Sequence, residues 1–436
     1  MDTLFPLTES PKPRLEEEAA EAKPRLREAN RSQVELRAVD LEALLSADHR
    51  ARVVWAFVER LDLSRFYTPI RAVEGHAGRP PADPKIVLAL WLYATLEGVG
   101  SARALARLCE AHDAYRWICG GVSVNYHTLA DFRVAHVEAL DELLTQSVAT
   151  LMAAGAVTLE RVAQDGMRVR ANAGAASFRR KQTLKRCLRE ARVQVEVLRR
   201  ELEDDPGATE RRQQAARERV AQEREERVTK ALEQLPAVAA KKKPKERDEA
   251  RVSTTDPEAR VMKMSDGGFR PAYNAQLATD TASQVVVGVA MTNAGSDQGQ
   301  MGEMAEQLEA RYGRRAGAML VDGGFVKLTD IEQVTQGGST VYAPVMQPRD
   351  PTRDPYAAQP DDAPEVAAWR ERMGTPEAKA IYKERAATAE CVNAHSRNRG
   401  LQQLPVRGLG KGLAIVLWHA LAQNLMRAIA LGAGVT

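Results

Sequence analysis

Apolar residues recur at helical spacing through three runs, "LEALLSADHRARVVWAFVERL", "DPKIVLALWLYATLEGV" and "SARALARLCEAHDAYRWI", with Gly and Ser punctuating them. Residues 40–155 therefore read as an all-helical domain. Within it a further helix is predicted from Thr128, where "TLAD" sets Asp131 three residues on in a capping-box-like start, through "FRVAHVEALDELLTQSVATLMAAG". Beyond residue 155 the period changes. "VTLERVAQDGMRVRAN", "RPAYNAQLATD", "SQVVVGVAMTN", "AGAMLVDGG" and "STVYAPV" read as strands, with a helical "GQMGEMAEQLEARYG" before the fourth. The order strand, strand, strand, helix, strand, strand predicts an α/β sheet with helices on its faces.

Between the first two strands lies a different kind of sequence, residues 175–250. Leu184, Leu188, Ala191, Val195, Leu198 and Leu202 recur at alternating spacings of four and three, a heptad stripe that needs a partner. "EDDPGATE" at 203–210 reads as a turn, and a second charged helical run follows to about Leu235. The prediction is an antiparallel helical-hairpin insertion, its second arm poorer in apolar residues because Glu223, Arg224 and Arg227 fall in the stripe. "KKKPKER" at 241–247 closes it as a basic, solvated linker.

Composition narrows the classes. The chain has 436 residues, 44% of them apolar, enough for a globular core, and a net charge of +3, too small to imply a nucleic-acid partner alone. Residues 175–250 hold 21 basic and 15 acidic side chains, so the positive excess is concentrated there. The four cysteines lack zinc or disulfide-scaffold spacing, which fits a reducing cytoplasm. Residues 1–39 lack an apolar signal core and read as a mobile N-terminal arm. "GLAIVLWHALAQNLMRAIALGAGV" is interrupted by His419, Gln423, Asn424 and Arg427, which favours a buried helix over a membrane span.

Candidate chemistry centres on carboxylates. Asp165 and Gly166 stand inside a strand-like run, where an unpaired charge would lose its hydration, so Asp165 is expected to be paired, turned to solvent or holding a metal. Asp322 ends another apolar run and is followed by Gly323 and Gly324, small residues that permit close approach. Either Asp alone reads as a turn residue; two in matching contexts point to a shared role. Glu390 is the third candidate, in a helical run with Tyr382, Arg385 and Arg397, and Arg397 lies two turns beyond it. Asp297 reads as a turn residue or a neighbour of the site, Tyr273 and Asn274 as strand packing. His127, His395 and His419 read as cap, surface or core residues. Arg103, Arg107, Arg116 and Arg133 fit either a helix-turn-helix-like DNA reader or an ordinary bundle.

With "FR" at Phe132 and Arg133, "DGMRVRANAG", "YNAQLATD", "VDGGF", "YKERAATAE" and "VRGLGKGLAIVLWHALAQNLMR", the chain resembles bacterial insertion-sequence transposases of the DDE type, in the Tyr-Arg-Glu-Lys signature group. The resemblance implies an α/β fold with an RNase H-like catalytic domain over 156–174 and 251–436, a helical, DNA-binding domain over 40–155, and the helical-hairpin insertion over 175–250. It implies Asp165, Asp322 and Glu390 as catalytic and metal-binding carboxylates for two Mg²⁺ ions, with Mn²⁺ as a substitute. Tyr382, Arg385 and Arg397 would bind DNA, Arg397 standing where Lys is usual. The partners implied are element terminal repeats and target DNA, with no membrane and a homo-oligomer on DNA; the site of action would be the cytoplasm, at the nucleoid when bound. The activity implied is end cleavage and joining of the 3′-OH to target DNA. A catalytically inactive DNA-binding descendant, or a nuclease without strand transfer, would share these motifs.

Overall fold

The computed structural model describes residue 32 and residues 40–72, 80–204, 211–348, 350 and 352–432. The arm expected over 1–39 lies outside these residues except for Ser32, as does most of the turn expected at 203–210. Contacts divide the chain after Asp40, and every element below belongs to the unit Leu41–Thr436.

Among the described residues, α-helices come first: α1 (Arg50–Glu59), α2 (Ser64–Tyr67), α3 (Pro84–Leu96), α4 (Ala102–Ala111), α5 (Asp113–Cys119), α6 (Tyr126–Ala135) and α7 (Val137–Ala153). Side-chain caps set the starts of α1, α3, α4, α5 and α6. Asp83 accepts from the Lys85 amide with Pro84 in the first turn, Ser101 accepts from Ala104, and the His49 and His112 rings accept from Ala51 and Ala114. Helix α3 is buried along its whole length except at Lys85, the mark of a central core helix. The helix expected from Thr128 instead opens at Tyr126, because Asn125 is the cap, its side chain accepting from the Thr128 amide at 2.9 Å. It also breaks at His136, whose backbone is not helical and whose ring packs on Phe66 and Phe132 at 5.1 and 4.8 Å.

The sheet is built around β1 (Arg161–Arg170). After it come β2 (Phe178–Arg179), α8 (Lys181–Asp204), α9 (Arg211–Ala240), β3 (Val252–Ser253), β4 (Arg260–Lys263), β5 (Phe269–Asp280), β6 (Val286–Thr292), α10 (Gln300–Tyr312), β7 (Ala318–Leu320), α11 (Leu328–Gln336) and β8 (Thr340–Tyr342). Strand β1 pairs antiparallel with β5 on one side and parallel with β7 on the other, and β8 continues the parallel side. The far edge of β5 is shared by β4 and β6, both antiparallel to it. This is a mixed α/β sheet preceded by a helical region. Strand β4 and the β2–β3 pair were not legible in the sequence, since two to four residues carry too little periodicity.

Helices α8 and α9 pack along one another, with Arg192 on Glu225 and Leu184 clustered with Ala231 and Leu235, so the pair runs antiparallel. Leu184 and Ala191 are fully buried in this seam. The opposing stripe on α9 is Ala221, Val228, Ala231 and Leu235. Alanine at two of these positions made the second arm look poorer than it is.

The chain ends with α12 (Pro364–Gly374), α13 (Pro376–Arg385), α14 (Cys391–Asn398) and α15 (Leu409–Ala430). Helix α15 is long and apolar enough to cross a membrane but packs on α3, α6, α7 and β6. Its polar residues serve the interior: Asn424 both accepts from and donates to the Val286 backbone at 2.8 Å, and Arg427 donates to the Ser283 carbonyl. Burial pushes the pKa of His419 down to about 3, with Arg399 acting in the same direction. Its folded value lies below the unfolded one, so stability is fully present above about pH 6.5 and is lost as pH falls toward 3, at up to about 1.4 kcal/mol per pH unit. Urea midpoints at about pH 7.5 and 5.5 check this: the wild type should lose stability and His419→Gln should lose less. An equal loss in both would assign the acid sensitivity elsewhere.

Candidate functional site

Parallel register brings the first two carboxylates together. Ala163 on β1 is level with Leu320, the last residue of β7, so Asp165 in the middle of β1 and Asp322 just past the end of β7, each two residues further on, come side by side. Arg385, the last residue of α13, bridges them: its Nη2 lies 3.3 Å from Asp165 Oδ1 and 3.3 Å from Asp322 Oδ2. Those oxygens are thus no more than twice that distance apart. Asn393 on α14 donates to Asp165 Oδ2 at 2.8 Å. Residues eight apart stand about 80° apart around a regular α-helix, and the π turn over Ala386–Glu390, by adding a residue to the turn, brings Arg385 and Asn393 closer to one line. The same segment seats Ala389 against Ala163, Ala318 and Leu320, which fixes the helix over the sheet.

The other face of β1 holds a buried polar network. Asp297 Oδ1 accepts from Asn274 and Gln276 at 2.7 Å each, and its Oδ2 accepts from Arg168 at 2.9 Å. Gln164 donates to Gln276 Oε1 and to the Gln300 carbonyl, both at 3.0 Å. Gly166 makes room for this: a Cβ there would stand 2.2 Å from Asp297 Oδ1. The Asp-Gly step is therefore not a turn, and Gly166 serves close approach. Gly324 plays a similar part, its N–H donating to Asp322 Oδ1 at 2.7 Å.

Burial raises the pKa of Asp165; Arg385 pulls it down, while Asp322 and Asp297 push it further up. Tyr382 is half-buried near the pair, its hydroxyl pKa raised by burial, with Arg385 lowering it and both aspartates raising it. Glu390 is exposed and makes no hydrogen bond or ion pair with a described residue. Among the described residues no group of three acidic, His or Cys side chains is arranged to hold a metal. Arg397, two turns beyond Glu390, is likewise exposed and lines a shallow groove with Arg168, Arg170 and Arg270. Arg385, expected to grip DNA, has its guanidinium between the carboxylates. Asn393 was missed by the sequence reading, because the π turn that aims it has no sequence period.

Asp165, Asp322 and Asn393 offer only oxygen donors to a ligand, the set preferred by a hard divalent cation. Asn393 Oδ1 is buried at the pair without a hydrogen-bond partner. The oxygens of these residues are of the kind such an ion takes, and the Arg385 guanidinium now occupies the space between Asp165 and Asp322.

Fold and site together define an α/β protein with a carboxylate pair at its central strands and a helical region ahead of it. Residues 39–135, ending with α6, match the family described as Transposase domain (DUF772). No curated protein and no solved structure matches the chain.

Proposed function

We propose that this protein is a DDE-type DNA transposase that frees the 3′ ends of an insertion sequence and joins them to target DNA. The observation that carries the proposal is the pair Asp165 and Asp322, level on parallel strands and bridged by Arg385, in a chain whose helical region matches a transposase domain. The run β6-β5-β1, antiparallel in turn, followed by β7 and β8 parallel to β1, with β4 beside β6 on the edge of β5, supports an RNase H-like reading of the sheet.

In this reading Asp165 and Asp322 hold divalent cations, with Glu390 as the third carboxylate. Bound Mg²⁺, or Mn²⁺ in its place, would supply charge stabilisation to the attacking and leaving oxygens of an in-line displacement. Asn393 holds Asp165 in orientation through Oδ2. Arg385 balances the two negative charges and, with Tyr382, stands where the scissile phosphate would lie. Arg397 and Arg170, in a groove where Arg168 is paired with Asp297 and Arg270 with Asp266, offer contacts for backbone phosphates, which position a strand without reading bases. Water first attacks the phosphorus at the element end and the 3′ oxygen leaves with a proton. That 3′-OH then attacks a target phosphate, so one phosphodiester forms as another breaks. Action would be in the cytoplasm, at the nucleoid, with two copies bringing two DNA ends together.

The exposed position of Glu390 favours one second reading, a DNA-binding descendant without catalysis. Labelled element ends incubated with a supercoiled plasmid separate the readings. The proposal expects joined products with Mg²⁺ and none with a chelator. Cleaved ends without joining would indicate a nuclease, and bound but uncut ends the non-catalytic descendant.

A further inference from the structure

A cavity of about 540 Å³ lies between α3, α4 and α6 of the helical region and the segment joining α14 to α15. Its walls include Arg103, Arg133, Arg399 and His419, with Trp91 and Tyr126, and no aspartate or glutamate lines it. Arg133 is only 7% exposed, yet no described carboxylate pairs with it. Its Nη1 donates to the Gly100 carbonyl, its guanidinium lies 4.6 Å from the Trp91 ring centre, and its buried Nε has no partner. Arg399 donates to Gln423 at 2.9 Å, and Arg103 lies over Tyr126 at 5.2 Å; neither pairs with a described carboxylate. Arg50, which adds to the positive field at Arg399, is itself paired with Glu97.

Arginine does not escape this burial by losing its proton, and a guanidinium withdrawn from water without an anion is costly. Burial alone pushes the Arg133 pKa down to about 10, which still leaves it charged at neutral pH. Three guanidinium groups around one acid-free cavity make a receptor for an anion, and their planar forks match phosphate oxygens.

We infer that this cavity binds a phosphate group, held by Arg133 at its base with Arg399 and Arg103 closing on it. The phosphate is either one in the backbone of DNA or one on a small molecule such as a mononucleotide. The inference does not rest on the carboxylate pair and stands whether or not that pair cleaves DNA.

Trp91 lines the cavity, so tryptophan fluorescence of the full chain is a direct readout. Inorganic phosphate, a 5′-mononucleotide and a short duplex DNA are titrated in turn, with melting temperature followed in parallel. At least one probe should give a saturable response whose apparent Kd rises tenfold or more in Arg399→Gln and in Arg133→Met. A response to phosphate or mononucleotide would identify a small-molecule phosphate, and one to duplex alone a backbone phosphate. If Arg133→Met does not fold, Arg399→Gln and the exposed-residue variant Arg103→Ala carry the test. No saturable response to any probe, or responses unchanged in the variants that fold, would overturn the inference.

Discussion

Asp165→Asn is expected to reduce end cleavage by at least about a hundredfold while leaving DNA binding within about twofold of wild type. The substitution keeps the shape of the side chain and removes the charge that would hold a divalent cation. Charge stabilisation of that kind is worth several kcal/mol, and each ~1.4 kcal/mol is a factor of ten in rate. The arginines of the groove and of the helical region are untouched. The loss should not come from unfolding. Burial first, then Asp322 and Asp297, raise the folded pKa of Asp165 despite Arg385, so at neutral pH the fold disfavours its ionised form. Neutralising it should leave the melting temperature unchanged or higher. By linkage that gain should fade as pH falls through the raised folded value toward the ordinary carboxylate value, below which Asp165 is protonated in folded and unfolded chains alike. Cleavage at wild-type rate by the variant would remove Asp165 from the chemistry, and a lowered melting temperature at neutral pH would make it a structural residue.

Gly166→Ala should be among the most damaging single-atom additions to the fold. The new Cβ would stand 2.2 Å from Asp297 Oδ1, 2.6 Å from Gln276 Nε2 and 2.8 Å from Asn274 Oδ1. None of these groups has an easy retreat: Asn274 and Gln276 are fully buried, and Asp297 is tied to Arg168 as well. Displacing Asp297 would leave buried amides and a guanidinium without their acceptor, a loss of about 3 kcal/mol or more. The backbone of Gly166 is not in the left-handed region, so the cost comes from crowding and not from strain. Urea denaturation reads it directly, and a loss under about 1 kcal/mol would mean that the network can shift to admit a methyl group.

The elements around the site were largely legible, and the reasons are specific. Asp165 and Asp322 share a pattern, an apolar run ending in Asp-Gly, because parallel neighbours in register place equivalent positions together. The run "YNAQLATD" was readable as a strand, yet its polar residues were misleading. Asn274 and Gln276 would ordinarily face water, and here they are buried because Asp297 gives their N–H groups an acceptor. That carboxylate lies in a loop more than twenty residues away, and no local pattern announces it. Nor could periodicity distinguish Glu390 from Asn393. Helical spacing correctly relates Glu390 to Arg397, both exposed, but the π turn sends Asn393 and Arg385 to the carboxylates. The helix break at His136 was hidden for a similar reason, since the Phe66 and Phe132 rings that receive it are brought in by tertiary packing.

In the proposed mechanism Asp165 and Asp322 hold divalent cations for chemistry on DNA. Mn²⁺ binding to the full chain on its element-end DNA, followed by electron paramagnetic resonance, tests it most directly. Wild type should take up Mn²⁺ in competition with Mg²⁺, and Asp165→Asn and Asp322→Asn should each lose that uptake while still binding the DNA. Equal Mn²⁺ uptake by wild type and both variants, or none by the wild-type complex, would contradict the account.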